Sequence, residues 1–495
     1  MSSRALKYVD SDVSSAPTKL FVVLATFLAL FWGLATAVVG GIASCVLFIL
    51  VASAALVLWN YRLGIYLLAL LLPLVDTALN AHSLFGLKGA NPFNLLLIGT
   101  LLSFVLNYAW EGSRLTPLSR WYWLYVLALI TAGLIGSQHV NEIPSVLRLT
   151  GAISFDSATG YLRDYLIKPI LVLLVTFLVS QSVSRGMSPL RLVVMVTLGF
   201  WGLAIAIFLY LGLNGFSLTL LASSDSRAVL SVFGLFSNDI AEALNLALAV
   251  LLFTWAALPT GSKVRLFFLA SMLALTGAML LTFSRGGFLA FGVLYVYFLV
   301  TRRRIRTLIA SASMLAIGLT LLPVAFLHRA TTGFSSGSLS TISAGRINHI
   351  WIPLLPELWR HPLIGNGLSS IMWSHAMRTG AILPVTLPHN AYLGVALDFG
   401  IIGGTVVAAF FVSMWRGFRE SRRQETDAVM ISLLQGGQAA LLVFAVEGVA
   451  DARFVPAASQ AMLWVMVGIL YGLRAKHRCE SRSIPNVPTV PPLVS

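Results

Sequence analysis

The sequence predicts an all-α fold, a polytopic transmembrane helix bundle of about fourteen spans with one large loop before the twelfth. Three observations carry this. Hydrophobic residues make up 58% of the 495-residue chain and charged residues only 10%, whereas soluble domains hold about 25% charged residues. So few charges do not furnish a water-facing surface. Mean hydropathy is +0.88, and apolar runs of ~18 residues or more, the length of a membrane-crossing helix, recur along the chain. The formal charge of +15, finally, sorts by loop as in multi-pass proteins rather than forming a nucleic-acid patch. Collagen-like, disulfide-scaffold and disordered readings fail, because there is no glycine period, no large polar block, and only Cys45 and Cys479.

The expected spans are 20–38, 41–59, 64–78, 94–109, 121–138, 166–183, 192–213, 238–258, 266–283, 286–300, 307–327, 391–415, 428–449 and 455–473. The first two form one apolar run broken at Gly40-Gly41. Leu20–Leu34 followed by Ala35-Thr36-Ala37 imitates a cleavable signal, but the apolar run continues, so an uncleaved first span is expected. With the N-terminus inside, cytoplasmic segments hold 22 of the 33 basic and 7 of the 18 acidic residues, which places the whole net charge on one side. An odd number of spans scrambles that asymmetry. The chain then divides into a cytoplasmic tail 1–19, helices one to eleven within 20–327, an outer loop 328–390, helices twelve to fourteen within 391–473, and a cytoplasmic disordered tail 474–495 rich in proline beyond Ser481.

Three outer segments, 139–165, 214–237 and 328–390, are longer than a turn requires, and long loops are usually functional. The last opens with a Gly/Ser/Thr stretch, 331–343, and continues with Ile347, Ile350, Trp351, Leu354, Leu355 and Leu358 at helical spacing. Pro353 and Pro356 predict a kink or two short pieces. This helix either lies at the membrane interface or packs on other loops.

Three arginines, Arg227, Arg285 and Arg346, lie near outer span ends. Arg285 stands in Ser284-Arg285-Gly286-Gly287 between two spans with almost no loop. It either snorkels to headgroups or binds phosphate through its bidentate fork, with Gly286 allowing close approach of a ligand. His389, in Pro388-His389-Asn390 where the large loop meets the twelfth span, is either structural or a proton acceptor near neutral pH. Asp398 is nine residues on, ~13.5 Å along a helix, too far to be its direct partner. Glu447 and Asp451, at the outer end of the thirteenth span, are candidates for polar contacts, with Arg453 or another outer basic residue as the expected partner. There is no P-loop, GxSxG, HExxH or Cys/His metal spacing, so no metal and no cofactor is expected. Asp10-Ser11-Asp12 reads as solvated acids in a polar tail.

Several of these segments form an ordered set. Ser284-Arg285-Gly286-Gly287, Gly345-Arg346 followed by Trp351, His361-Pro362-Leu363-Ile364-Gly365-Asn366-Gly367, Pro388-His389-Asn390 and Gly400-Ile401-Ile402-Gly403 together resemble the O-antigen ligase family. That superfamily also holds lipid-linked polysaccharide polymerases and bacterial protein O-oligosaccharyltransferases. Arg227 with Gly234, Phe236 and Asn238 extends the resemblance upstream, although Ser237-Asn238 replaces the family's usual proline–asparagine step. The likeness covers 227–405; the earlier spans match only in hydropathy.

The resemblance implies a GT-C-type glycosyltransferase in the bacterial inner membrane, with both termini cytoplasmic and the active site on the periplasmic loop side. Its donor is a glycan linked to undecaprenyl diphosphate, its acceptor a sugar of lipid A–core, and its partners include membrane lipids but no nucleic acid. By position in the motifs, Arg227 and Arg285 hold the donor diphosphate with Arg346 beside them, His389 is the base, and Asn390 and Gly286 support. A polymerase of the same superfamily differs only in acceptor. A transporter or lipid flippase is the alternative from another class, but its usual inverted repeats and mid-membrane charges give way here to polar residues gathered at the outer face.

Overall fold

The computed structural model describes residues 57–80, 83–84, 87–88, 91–111, 115–217, 229–302, 324, 343, 345–451 and 453–483. The first, most of the second, and nearly all of the eleventh expected span lie outside these residues, as do most of the Gly/Ser/Thr stretch and the end of the C-terminal tail. The other eleven expected spans each fall on a described helix: α1 Tyr61–Leu71, α2 Pro92–Glu111, α3 Arg120–Ser137, α4 Ala158–Ser184, α5 Pro189–Leu213, α6 Ser237–Trp255, α7 Lys263–Leu280, α8 Arg285–Arg302, α9 Ala391–Gln424, α10 Ala428–Ala450 and α11 Ala461–Ser483. Eight helices among the described residues are long and apolar enough to cross a membrane. The described strand content is one hairpin with two residues in each strand, Ser83 opposite Lys88 and Leu84 opposite Leu87.

Two compact units make up the chain, one of residues 1–64 with 94–112 and one of 65–93 with 113–495. In the smaller unit, Gly64 faces Thr100 so closely that a Cβ there would lie 2.3 Å from the threonine hydroxyl, and Tyr61 meets Phe104 edge-on at 5.4 Å. On α2, Ile98, Leu102, Val105 and Leu106 remain exposed, the expected surface of a helix solvated by lipid rather than water.

The larger unit is built around α6 and α11, whose apolar windows are almost wholly buried. α11 lies along α4 at close range because Gly468 and Gly472, one turn apart, present no side chain. A Cβ at either would sit 2.7 Å from the carbonyl oxygen of Thr176 or Ser180. Small residues at this spacing let helices approach where lipid supplies no hydrophobic drive. Helix starts follow local chemistry: Ser119 caps α3, Ser188 with Pro189 opens α5, and Asp427 accepts from two amides at the head of α10.

The segment before α9 is irregular but ordered. A π-turn at Ile347–Trp351 passes through Ile352–Leu354 into a 3₁₀ turn at Leu355–Trp359. The prolines thus break the expected helix into short pieces, with Ile350 and Leu354 turned inward. The following chain is pinned to α3 and α4: Leu368 donates to Ala132 O at 3.0 Å and accepts from the Tyr161 hydroxyl at 2.6 Å. Arg378 reaches Glu142 at 3.0 Å, and the His139 ring bonded to the same carboxyl holds it below the usual carboxylate range.

α9 departs from a simple span. Its 34 residues include a break at Gly400, where φ is 61° and ψ −164°. The stretch 361–368 supplies what the broken helix loses. Ile401 N donates to Pro362 O at 2.8 Å and Ile402 N to Leu363 O at 3.0 Å, while Asn366 N and Gly367 N donate to Leu397 O and Asp398 O. The Asp398 carboxylate takes the amides of Ser369 and Ser370 at 2.8 and 3.0 Å. Glycine is required on both sides of this seam. A Cβ on Gly365 would lie 2.4 Å from Asp398 O, and one on Gly400 would lie 2.5 Å from Gly365 N. The glycines at 365 and 400 are therefore structural, and Asp398 staples this loop rather than touching His389. Gly400→Ala combines a positive φ with a backbone clash, each costing on the order of 1–3 kcal/mol, so it is expected to lower the detergent-solubilised melting temperature by several degrees. Gly292→Ala, with nothing within 4 Å of its Cβ, is the matched control and should leave it unchanged.

Candidate active site

His389 sits at a helix start that three neighbouring residues define. Pro388 precedes it, and the Pro388 carbonyl accepts from Trp351 Nε1 at 2.8 Å, which ties the π-turn segment to this point. Asn390 caps α9, its side chain accepting from Leu393 N at 3.0 Å. Between them His389 takes φ +53°, a left-handed conformation that histidine visits more readily than branched residues do. Helix α9 therefore begins two residues later, at Ala391, and the imidazole is set off from the helix axis beside the end of α10.

The partner found there is Asp451, the C-terminal cap of α10. Asp451 Oδ1 meets His389 Nδ1. Asp451 Oδ2 accepts from Arg346 at 3.2 Å and from the Asn238 amide. Arg346 also donates to the Ala450 carbonyl. All three side chains of the charged set are largely withdrawn from solvent, at 27% exposure for His389, 17% for Asp451 and 16% for Arg346. A carboxylate only accepts, so the bond to Nδ1 requires the proton on that nitrogen. The neutral ring is then left with Nε2 as its basic site.

From Asp451 the hydrogen bonds continue toward Arg285. Asn238 Oδ1 accepts from Ser284 Oγ at 2.7 Å, and Ser284 Oγ accepts from Gly287 N at 3.1 Å. Ser284 thus caps α8, whose first residue is the half-buried Arg285. Gly286 lies against α10, where an added Cβ would stand 3.1 Å from that of Ala450. Deeper in, Asn245 donates to both Gly287 O at 2.9 Å and Glu447 at 2.7 Å, and Gln460 bridges Glu242 and Arg453 O. The starts of α6, α8 and α9 and the end of α10 are thereby fixed at one end of the unit.

Of the residues expected from sequence, His389, Asn390, Arg346, Arg285 and Gly286 are brought to this end, while Arg227 lies outside the described residues. The roles differ from residue to residue. Arg346 is occupied by Asp451 and the Ala450 carbonyl, which makes it an organiser of the site. Asp451 does pair with outer basic residues, Arg346 and His389. Sequence reasoning missed that Asp451 faces His389, and it missed Asn238 and Ser284 as links. The signal lay in topology: α9 and α10 are consecutive antiparallel helices, so the start of one and the end of the other share a level.

What the arrangement offers chemically is a carboxylate-oriented imidazole beside a helix N-terminus that starts with arginine. The orienting carboxylate sets the tautomer and stabilises the ring once protonated, and the helix start and its arginine suit an anion. Among the described residues no three His, Cys, Asp or Glu side chains form a metal-holding group. Comparison with curated proteins gives no match. Residues 269–408 match the family model described as O-antigen ligase, a stretch that contains Arg285, Arg346, His389 and Asn390 and stops short of Asn238 and Asp451. Over those residues the chain is similar to the O-antigen ligase family.

Proposed function

We propose that this protein is a membrane glycosyltransferase that moves a glycan from a polyprenyl diphosphate, expected to be undecaprenyl diphosphate, to a hydroxyl of an acceptor sugar. The observation that carries the reading is the His389–Asp451 pair, held at the same helix ends as Arg285. The acceptor hydroxyl attacks the anomeric carbon from the face opposite the diphosphate, and its proton passes to His389 Nε2. The bond from the anomeric carbon to the diphosphate oxygen breaks, and its electron pair leaves with the diphosphate. The product is inverted at that carbon. Asp451 steadies the imidazolium that forms.

Arg285, with Arg227 by resemblance, stabilises the charge that gathers on the leaving diphosphate, an effect that grows where water is excluded. Arg346 serves by holding Asp451 in register with His389. In a ligase the acceptor is lipid A–core at the periplasmic face of the inner membrane; in a polymerase of the same superfamily it is another lipid-linked repeat. The ligase is the reading adopted here.

Complementation of a strain lacking the gene, with surface and lipid-linked glycan read on gels, tests the assignment. His389→Ala is expected to insert normally yet lose roughly 10²–10⁴-fold in transfer, the range of a general base, leaving full-length glycan on the carrier. Activity near wild type in that variant removes His389 as the base, and accumulation of single repeat units in its place identifies a polymerase. Arg285→Lys should fall roughly 10²-fold or more, since a point charge does not reproduce the guanidinium fork.

His389→Gly separates chemistry from folding. Glycine accepts φ +53° without the ~1 kcal/mol left-handed cost, so its thermal melt should stay at or above wild type while transfer is lost. A melt depressed by many degrees shows that His389 holds the fold instead. EDTA is expected to leave transfer intact, and a loss restored by added Mg²⁺ overturns charge stabilisation by arginine alone.

A further inference from the structure

At the end of the larger unit away from His389 lies a cavity of about 520 Å³ between the start of α3, the later turns of α9 and the later turns of α11. The rise from Gly400 to Arg416 puts it ~24 Å along α9 from the helix break. Its wall carries Arg120, Arg416, Arg474 and Arg478 against the single carboxylate of Glu420. Arg474 engages that carboxylate at 2.7 Å, and the wall as a whole is basic. Arg120 lies over the Trp121 ring at 5.5 Å, which holds its guanidinium at the rim.

A second observation concerns Tyr471, also in the wall. Its hydroxyl is buried and lies beside that of Ser413. The neighbouring wall hydroxyl, Ser413, gives its own proton to Phe410 O at 2.7 Å. With the Ser413 proton committed, the Tyr471 proton can go to Ser413 Oγ or to a phosphate oxygen, an acceptor of the right kind.

The surface leading out of the cavity identifies the rest of the occupant. Val412 lines the cavity and is 48% exposed, and the exposed face of α9 continues from it through Ala408 and Thr405 to Ile401, which is 64% exposed. These positions step by four, three and four residues and form one stripe along the helix. Leu124, one turn on from Trp121, is exposed on α3 as well. A basic cavity continuous with an apolar stripe fits a molecule with an anionic head and hydrocarbon tails, whereas a free polyphosphate leaves the stripe without use.

We propose that this cavity binds the phosphate headgroup of an anionic phospholipid, with its acyl chains laid along the 401–412 face of α9. The site is separate from the His389 cluster and stands whether or not the transferase reading holds. The test is native mass spectrometry of the full-length protein in detergent, with cardiolipin, phosphatidylglycerol and phosphatidylcholine offered at equal concentration. Wild type is expected to retain the anionic lipids preferentially, and Arg120→Gln with Arg416→Gln to lose about 25-fold of that preference, at about fivefold per arginine near a phosphate.

The pair Arg120→Lys with Arg416→Lys keeps the charge and should retain most of the preference. Equal retention of all three lipids by wild type, or an unchanged preference in the glutamine pair, overturns the site. Inorganic pyrophosphate raising the thermal melt as much as cardiolipin does overturns the lipid as occupant. If the glutamine pair does not purify, the exposed Arg120→Gln alone is expected to show the fivefold loss, and no loss there overturns the proposal.

Discussion

One carboxylate, Asp451, takes hydrogen bonds from three different elements, and the geometry of the polar cluster depends on it. His389 comes from the start of α9, Arg346 from the turn before the π-segment, and Asn238 from the first turn of α6. A half-buried carboxylate with two oxygens and several lone pairs satisfies them at once, and each donor restricts the rotamer the others see. The ion pair itself is not the main point, since a partly withdrawn pair gains attraction and loses hydration in similar measure. Its effect is positional. The imidazole cannot turn without disturbing contacts that reach Ser284 and so the head of α8.

The backbone around this cluster is equally constrained. Among the described residues, His389 is one of three non-glycine residues with positive φ, with Phe283 and Ser369. Phe283 stands two residues before Arg285, and Ser369 gives its amide to Asp398. Left-handed residues at the head of α8, at the head of α9 and in the loop that seals the α9 break mark the places where the chain turns sharply to bring side chains to one end. Such conformations persist where surrounding contacts over-determine them, and here helix caps and carbonyl partners do so on either side.

Much of this was legible in the sequence because a membrane simplifies the code. Hydropathy alone placed a span on each of α2 to α11, since a lipid-solvated helix is apolar on every face, but the ends of α4, α9 and α11 lie eight to ten residues from those expected. His389 and Arg285 were found by motif order, and the breaks near Pro353 and Pro356 by the missing donors of proline. What stayed hidden was tertiary. Gly400 stood in the motif order but inside an unbroken expected span, because its break is stabilised by a loop more than thirty residues earlier that no local pattern announces. Asp451 looked like a generic helix-end acid, because its partners come from α6, the π-segment and α9, between 62 and 213 positions away. The family match also ends before it, at residue 408.

The break at Gly400 also bears on how the protein meets bilayers of different thickness. The part of α9 beyond the break, 401–424, is ~36 Å long at 1.5 Å per residue, enough to cross a hydrocarbon core without the nine residues before it. Hydrophobic mismatch is relieved mainly by tilting such a helix. Because the stretch before Gly400 is fastened to the 361–370 loop, and that loop to α3 and α4, the longer stretch has a pivot at the glycine. Since Phe410 stacks on Tyr125 at 4.3 Å and Phe418 packs on Gly437, a change of tilt beyond the glycine would carry α3 and α10 with it, while the stretch before the glycine stays fastened to its loop.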